Sequence, residues 1–323
     1  MIVAPEPVLA RRFAVGAEAR GASGTHFRVW APRHRDVTIA IEGESGTASA
    51  EFPMQPEPDG YFSLLVPEAV AGTRYRYRLG ASPERFPDPA SRFQPYGPHG
   101  PSEVVDASTF RWNDASWGGA GFDRQVLYEM HVGTFTILGT WRAALEHLPM
   151  LADLGITTIE VMPVAEFAGR RGWGYDGVDL FAPSHLYGSP DDMRQFVDRA
   201  HQLGLGVILD VVYNHLGPDG NFLAQFAETY FSRRYTNDWG DAMNFDDDAA
   251  PVREFVTANA AYWIDEFHLD GLRVDATQAM FDDSPSHVLA DIASRARLAA
   301  QKRPIIVIGE NEPQDVRLLR PTE

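Results

Sequence analysis

Near residue 115 the apolar residues of this 323-residue chain change their period, and the change demands two kinds of architecture in one polypeptide. Before it, apolar and polar residues alternate in short runs bounded by turn formers, the pattern of antiparallel strands with one buried face. In TRYRYRLG (73–80) the alternation is strict: Tyr75, Tyr77 and Leu79 fall on one side and Arg74, Arg76 and Arg78 on the other. The runs 25–32, 36–41 and 61–66 behave alike, so residues 1–115 are expected to form a small β-sandwich with its connector. Five prolines and two glycines between Phe86 and Pro101 mark an extended connector that continues to about Phe122.

After the change, apolar strand runs alternate with amphipathic helical stretches, which predicts βα units on a parallel sheet. Candidate strands are 126–132, 157–164, 206–212, 271–276 and 304–310, and candidate helices 140–154 (interrupted by Pro149), 191–203, 251–266 and 285–301. The expected fold class is therefore multidomain β plus α/β. A sandwich is followed, over residues 116–323, by an incomplete (β/α)8 TIM barrel holding about the first five βα units, since a closed barrel needs eight strands and typically about 250 residues. Such a wall would expose a hydrophobic edge. The loop from Tyr213 to about Ala250 is far longer than a usual βα connection and is expected to be functional.

Composition narrows the partners. With 28 basic and 45 acidic residues the net charge is −17, which repels a phosphate backbone and argues against nucleic-acid binding. The excess is concentrated: residues 1–115 carry 12 basic and 14 acidic groups, leaving 16 and 31 for the remainder. The chain has no cysteine, excluding disulfides, thiolate metal sites and cysteine nucleophiles. The opening MIVAPEPVLARRFAV is the reverse of a secretory signal, and no run approaches the ~20 apolar residues of a membrane span, so a soluble, cytoplasmic protein is expected. The acidic run Asp246 to Asp248 lacks the spacing of a calcium loop, and His131, His185 and His201 lack metal-ligand spacing. Of the three, His131 is the one expected nearest a cleft. No metal and no cofactor is expected.

Three strand ends finish in polar groups that a fully buried strand would not tolerate without partners: Asp210 with Asn214 and His215, Arg273 with Asp275, and Glu310. In a barrel these ends converge on one face. Arg273 and Asp275, two apart, share a side of their strand, where the guanidinium can orient the carboxylate and keep it ionised, as suits a nucleophile. Glu310, flanked by apolar Ile305 to Ile308, is expected to have a raised pKa and to serve as an acid. Two carboxyls in unlike environments are what glycoside hydrolysis requires.

DVVYNH (210–215), GLRVDA (271–276) and IVIGEN (306–311) resemble, in order, the first three of the four signature regions of the α-amylase superfamily of glycoside hydrolases. Within it, PDPASRFQP (87–95), YEMHVGTF (128–135) and the run from Ile159 to Asp192 most resemble malto-oligosyltrehalose trehalohydrolases. The resemblance implies that Asp275 is the nucleophile, Glu310 the general acid and base, and Arg273 the group that positions Asp275. It implies that His215 donates to a hydroxyl of the cleaved sugar, that Asp210 holds Arg273 or the neighbouring loop, and that a sugar stacks on Tyr175, with Trp173 and Asp176 nearby. The implied substrate is maltooligosyl trehalose or a related α-glucan, cleaved with retention to release trehalose. Phe222, Tyr230, Phe231 and Trp239 of the long loop are candidates for outer subsites or for the loop's own apolar cluster. The fourth region is not among these residues, and the chain is read as the N-terminal portion of such an enzyme. A branching or debranching relative, or a non-catalytic glucan-binding fragment, are the alternatives.

Overall fold

The computed structural model describes residues 10–43, 46, 48–246 and 249–319, so Asp247 and Asp248 of the acidic run and the first nine residues lie outside the described residues. Two antiparallel sheets build the N-terminal part. One orders the strands Gly16–Ala19, Thr25–Trp30, Tyr61–Val66 and Gln55–Pro56; the other orders Ala48–Pro53, Val37–Glu42, Arg74–Leu79 and Arg85–Phe86, with Ser102–Glu103 also on Arg74–Leu79. The strict alternation has its expected result: Tyr75 and Tyr77 are fully buried and Leu79 is nearly so, while the three arginines reach the rim and pair with Glu42, Glu51 and Glu103.

The second part is a parallel sheet of five strands in sequence order: β1 (Leu127–Met130), β2 (Thr158–Val161), β3 (Gly206–Val211), β4 (Gly271–Val274) and β5 (Ile306–Gly309). Each lies inside its predicted run. Between them come α1 (Trp141–Leu145), α2 (Leu148–Leu154), α3 (Pro190–Gln202), α4 (Ala250–Glu266) and α5 (Val288–Ala299). Pro149 does not break a helix; it sits in the first turn of α2, where its missing N–H has no intrahelical partner to lose. Ser189 and Asp192 form a reciprocal capping box at the start of α3, and Gly204, at φ +77°, follows its end. Gly271 lets β4 and β5 pair, because a Cβ there would lie 1.9 Å from the Ile306 carbonyl oxygen.

Register decides what faces where. Glu129 pairs with Glu160, Glu160 with Ile208, Asp210 with Arg273 and Arg273 with Ile308, so one face of the sheet carries a row of charged groups. The opposite face carries Ile159, Val161, Val207, Leu209, Leu272 and Val274, all buried. The edge strand leaves Val126 and Leu127 exposed, as an open wall should. One continuous hydrophobic core runs from the sandwich into the βα units. Among the described residues no helix is long and apolar enough to cross a membrane.

Candidate active site

The C-terminal ends of β3, β4 and β5 bring four charged side chains together. Asp210 and Arg273 are register partners on β3 and β4, and Asp275 lies two residues beyond Arg273, its N–H donating to the Val211 carbonyl at 3.0 Å. The chain then turns through Ala276 at φ +41°, which aims the Ala276 N–H at Glu310 Oε2, 2.9 Å away. Thr277 fastens the end of β5 by donating its N–H and hydroxyl to the Glu310 carbonyl at 2.8 and 2.6 Å.

At the centre is the Arg273 guanidinium. Its Nη1 donates to Asp210 Oδ2 at 2.7 Å and to Asp275 Oδ1 at 2.8 Å, and its Nη2 pairs with Glu310 Oε2 at 3.0 Å. Burial works against the charge of Arg273, but the carboxylates of Asp210, Glu310 and Asp275 outweigh it and hold its proton more firmly than usual. Burial pushes Asp210 up to about 7 despite its bond to Arg273, and its Oδ1 is buried without a hydrogen-bond partner. Asp275 uses both oxygens, since Asn214 Nδ2 donates to Oδ2 at 2.9 Å and also to the Asp275 carbonyl at 3.1 Å.

Two expectations change here. Glu310 is not enclosed by its apolar neighbours: its side chain is 46% exposed, pairs with Arg273 and accepts from Ala276 N–H, and β5 is the edge strand of the sheet among the described residues. His215 is not free to donate to a ligand. Its Nε2 lies 3.0 Å from the Tyr175 carbonyl and its Nδ1 contacts Asn214 Oδ1, so both ring nitrogens face protein oxygens, and burial lowers its pKa. It ties the Tyr175 loop to the end of β3.

Tyr175 is half-buried, and its hydroxyl donates to Asp210 Oδ2 at 3.0 Å, placing the ring beside the cluster. Burial and the nearby Asp210 raise its pKa. Gly174 makes the approach possible: at φ +101° it lies against Pro163, and a Cβ would fall 2.0 Å from the Pro163 carbonyl oxygen. Trp173 is 75% exposed and Asp176 is exposed, both on this loop but outside the bonded cluster. His131 Nε2 contacts the Gly172 carbonyl at 2.9 Å and so steadies the same loop.

Three further residues border the cluster without belonging to the expected set. Glu129 and Glu160 lie on the charged face of β1 and β2; burial raises the pKa of Glu160, with Arg273 opposing. Each interrupts an apolar strand run, the same sign that singled out Asp210. The third is Asn237. The long loop folds back as a hairpin, Phe231–Asn237 with Gly240–Met243, and Asn237 Nδ2 reaches the Asn214 carbonyl and Oδ1 at 3.3 and 3.2 Å. Trp239 in the turn of that hairpin is 54% exposed, its ring 5.9 Å from that of His215. Phe222 and Tyr230 face the sandwich instead, and Phe231 packs partly buried against the core.

A row of barrel strands ending in an arginine shared by carboxylates, with a sandwich before it, defines a class. The family models that match are of that kind: residues 105–241 match the alpha amylase catalytic domain, and residues 14–90 match carbohydrate-binding module 48, the isoamylase N-terminal domain. More particularly, it is similar to malto-oligosyltrehalose trehalohydrolases. It is 43% identical over 301 residues to that of Saccharolobus solfataricus, covering 93% of this chain and 52% of the relative. It is 48% identical over 274 residues to that of Deinococcus radiodurans, covering 84% and 44%. A crystal structure from Salmonella typhimurium described as an alpha amylase superposes with a TM-score of 0.89 at 43% identity, covering 96% of this chain and 52% of that one. The chain spans about half the length of the curated relatives it matches.

Proposed function

We propose that this chain supplies the sandwich and the nucleophile half of a malto-oligosyltrehalose trehalohydrolase, an enzyme that hydrolyses the α-1,4 bond next to a terminal trehalose unit with retention. The observation that carries the reading is the single guanidinium shared by Asp275 and Glu310. Retention needs two carboxyl groups about 5–5.5 Å apart, and two carboxylates on one guanidinium are compatible with that separation. Asp275, with one oxygen on Arg273 and the other on Asn214, attacks the anomeric carbon. Glu310 takes up a proton from solvent as it leaves Arg273 and gives it to the departing glycosidic oxygen. The released trehalose leaves the glucan as an ester on Asp275; Glu310 then takes a proton from the water that displaces it.

Tyr175 offers its ring to the sugar, anchored by Asp210, with Trp173 and Asp176 bordering the approach. His215 acts by fixing Tyr175 and Asn214. The same proposal places the boundary between the two parts near residue 115 and the protein in the cytoplasm, in trehalose formation. Its support is the match over most of the chain to relatives of that name. The test uses the full-length protein with maltooligosyl trehalose. Free trehalose should accumulate, and Asp275→Asn should cut its release about a thousandfold or more, or roughly 4 kcal/mol of transition-state stabilisation. Release undiminished by the substitution contradicts the assignment.

A further inference from the structure

Residues 14–90 match a family model described as carbohydrate-binding, yet the aromatic residues up to position 90 are not available to a sugar. Residues 1–90 contain nine aromatic side chains, and each lies among the described residues. None is exposed; Phe52 is partly buried and the others are buried. A glucan platform needs an accessible ring against which the apolar face of glucose can lie. Three of the rings meet the catalytic part instead. Trp30 meets Tyr230 edge-on at 5.2 Å, Tyr77 meets Phe226 at 6.1 Å, and Phe86 meets Phe222 at 5.6 Å. Beside them, His34 Nε2 reaches the Gln225 carbonyl at 2.8 Å and Arg33 Nη1 donates to the Ala224 carbonyl at 3.2 Å.

All of these partners belong to residues 222–230, the segment that leads into the hairpin. From there a bonded path reaches the proposed nucleophile. The Tyr230 carbonyl accepts from Asn244 N–H at 2.9 Å, and Met243 N–H donates to the Asn214 carbonyl at 3.2 Å. Asn237 Nδ2 donates to Asn214 Oδ1 at 3.2 Å, fixing which way that amide faces, and Asn214 Nδ2 then donates to Asp275 Oδ2. We infer that the sandwich is a buttress for the loop between β3 and α4, and that Trp30 and Asn237 are positioning residues that hold Asn214, and through it Asp275, in place. The inference rests on the reading of Asp275 as nucleophile for its catalytic consequence, but not for its structural one.

The two are tested separately. In hydrogen exchange on the 323-residue chain, Trp30→Ala should speed exchange across residues 231–243 about tenfold or more while β2 and β3 keep their protection, and Trp30→Phe should restore it. In full-length enzyme acting on maltooligosyl trehalose, Trp30→Ala and Asn237→Ala should each lower kcat about tenfold with KM within about twofold. Asn237→Ala leaves the sandwich contacts intact, so it tests the link from the hairpin through Asn214 to Asp275 even if Trp30→Ala fails to fold, and an unchanged kcat in it would overturn that link. A raised KM with unchanged kcat in Trp30→Ala would mark a glucan platform and overturn the inference, as would unchanged exchange across residues 231–243 in a folded Trp30→Ala chain. If the wild type releases no trehalose, the functional proposal fails while the exchange result still judges the buttress.

Discussion

The two ends of the parallel sheet hold similar chemistry in opposite states of completion. Below, at the N-terminal ends of β3 and β4, Asp270 is wholly buried and both of its oxygens are occupied. Oδ2 accepts from His201 Nε2 and Val207 N–H, each at 2.9 Å, and Oδ1 accepts from Trp117 Nε1 at 2.7 Å, with Arg303 close by. His201 is completed by Asp114 at 2.9 Å, and the Trp117 ring stacks on it at 4.9 Å. Above, Asp210 keeps a buried oxygen without a partner and Glu310 stands nearly half exposed. A satisfied polar cluster holds the connector to the sheet; an unsatisfied one leaves bonds for something else to make.

Breaking the lower cluster should have the largest effect on folding. Asp270→Ala strips His201 and Arg303 of a buried counter-charge and should lower the unfolding free energy by about 3–5 kcal/mol in urea melts. Asp275→Asn at the upper end should change it by less than about 1 kcal/mol. Equal losses at both ends would erase the distinction.

The ends should also separate in pH. Asp210 is pushed up to about 7, above its ordinary value, so the folded chain binds a proton that the unfolded chain has released. Its contribution to stability is present at low pH and is lost as pH rises from about 4 to 7. For His201, burial opposes the charge but Asp114 and Asp270 outweigh it, and the pKa is raised. Its contribution is complete below the ordinary histidine value of about 6.5 and falls away as pH rises through the folded pKa. Asp210→Asn should therefore flatten stability between about pH 4 and 7, and His201→Gln above about 6.5, each slope being at most about 1.4 kcal/mol per pH unit. Melts of each variant across pH 4–9 check both windows. A smaller effect comes from Trp117→Phe, which keeps a ring over His201 but removes the indole donor to a buried carboxylate; about 1.5–3 kcal/mol should go.

The contrast also explains what could be read from the sequence. The five strands were legible because apolar runs bounded by helical stretches leave few alternatives, and Arg273 with Asp275 because two residues apart on a strand means one face. The surroundings of Glu310 were not, since flanking isoleucines say nothing about whether another strand covers them. The surroundings of His215 are hidden for a related reason: its partners, Asn214 and the Tyr175 carbonyl, belong to one neighbour and one distant loop. Of the lower cluster only His201 stands out in the sequence, and only as a histidine without metal-ligand spacing. Asp114, His201, Asp270 and Arg303 come from four separate segments with no shared period, and only the fold brings them together.

The central claim is that Asp275 and Glu310, sharing Arg273, act as nucleophile and acid in a double displacement. The most direct measurement is proton NMR of maltooligosyl trehalose during cleavage by the full-length enzyme, following the anomeric signal at the newly formed reducing end. The account predicts that the α-anomer appears first and equilibrates only by mutarotation. Initial appearance of the β-anomer would show that no glycosyl ester forms on Asp275 and would contradict it.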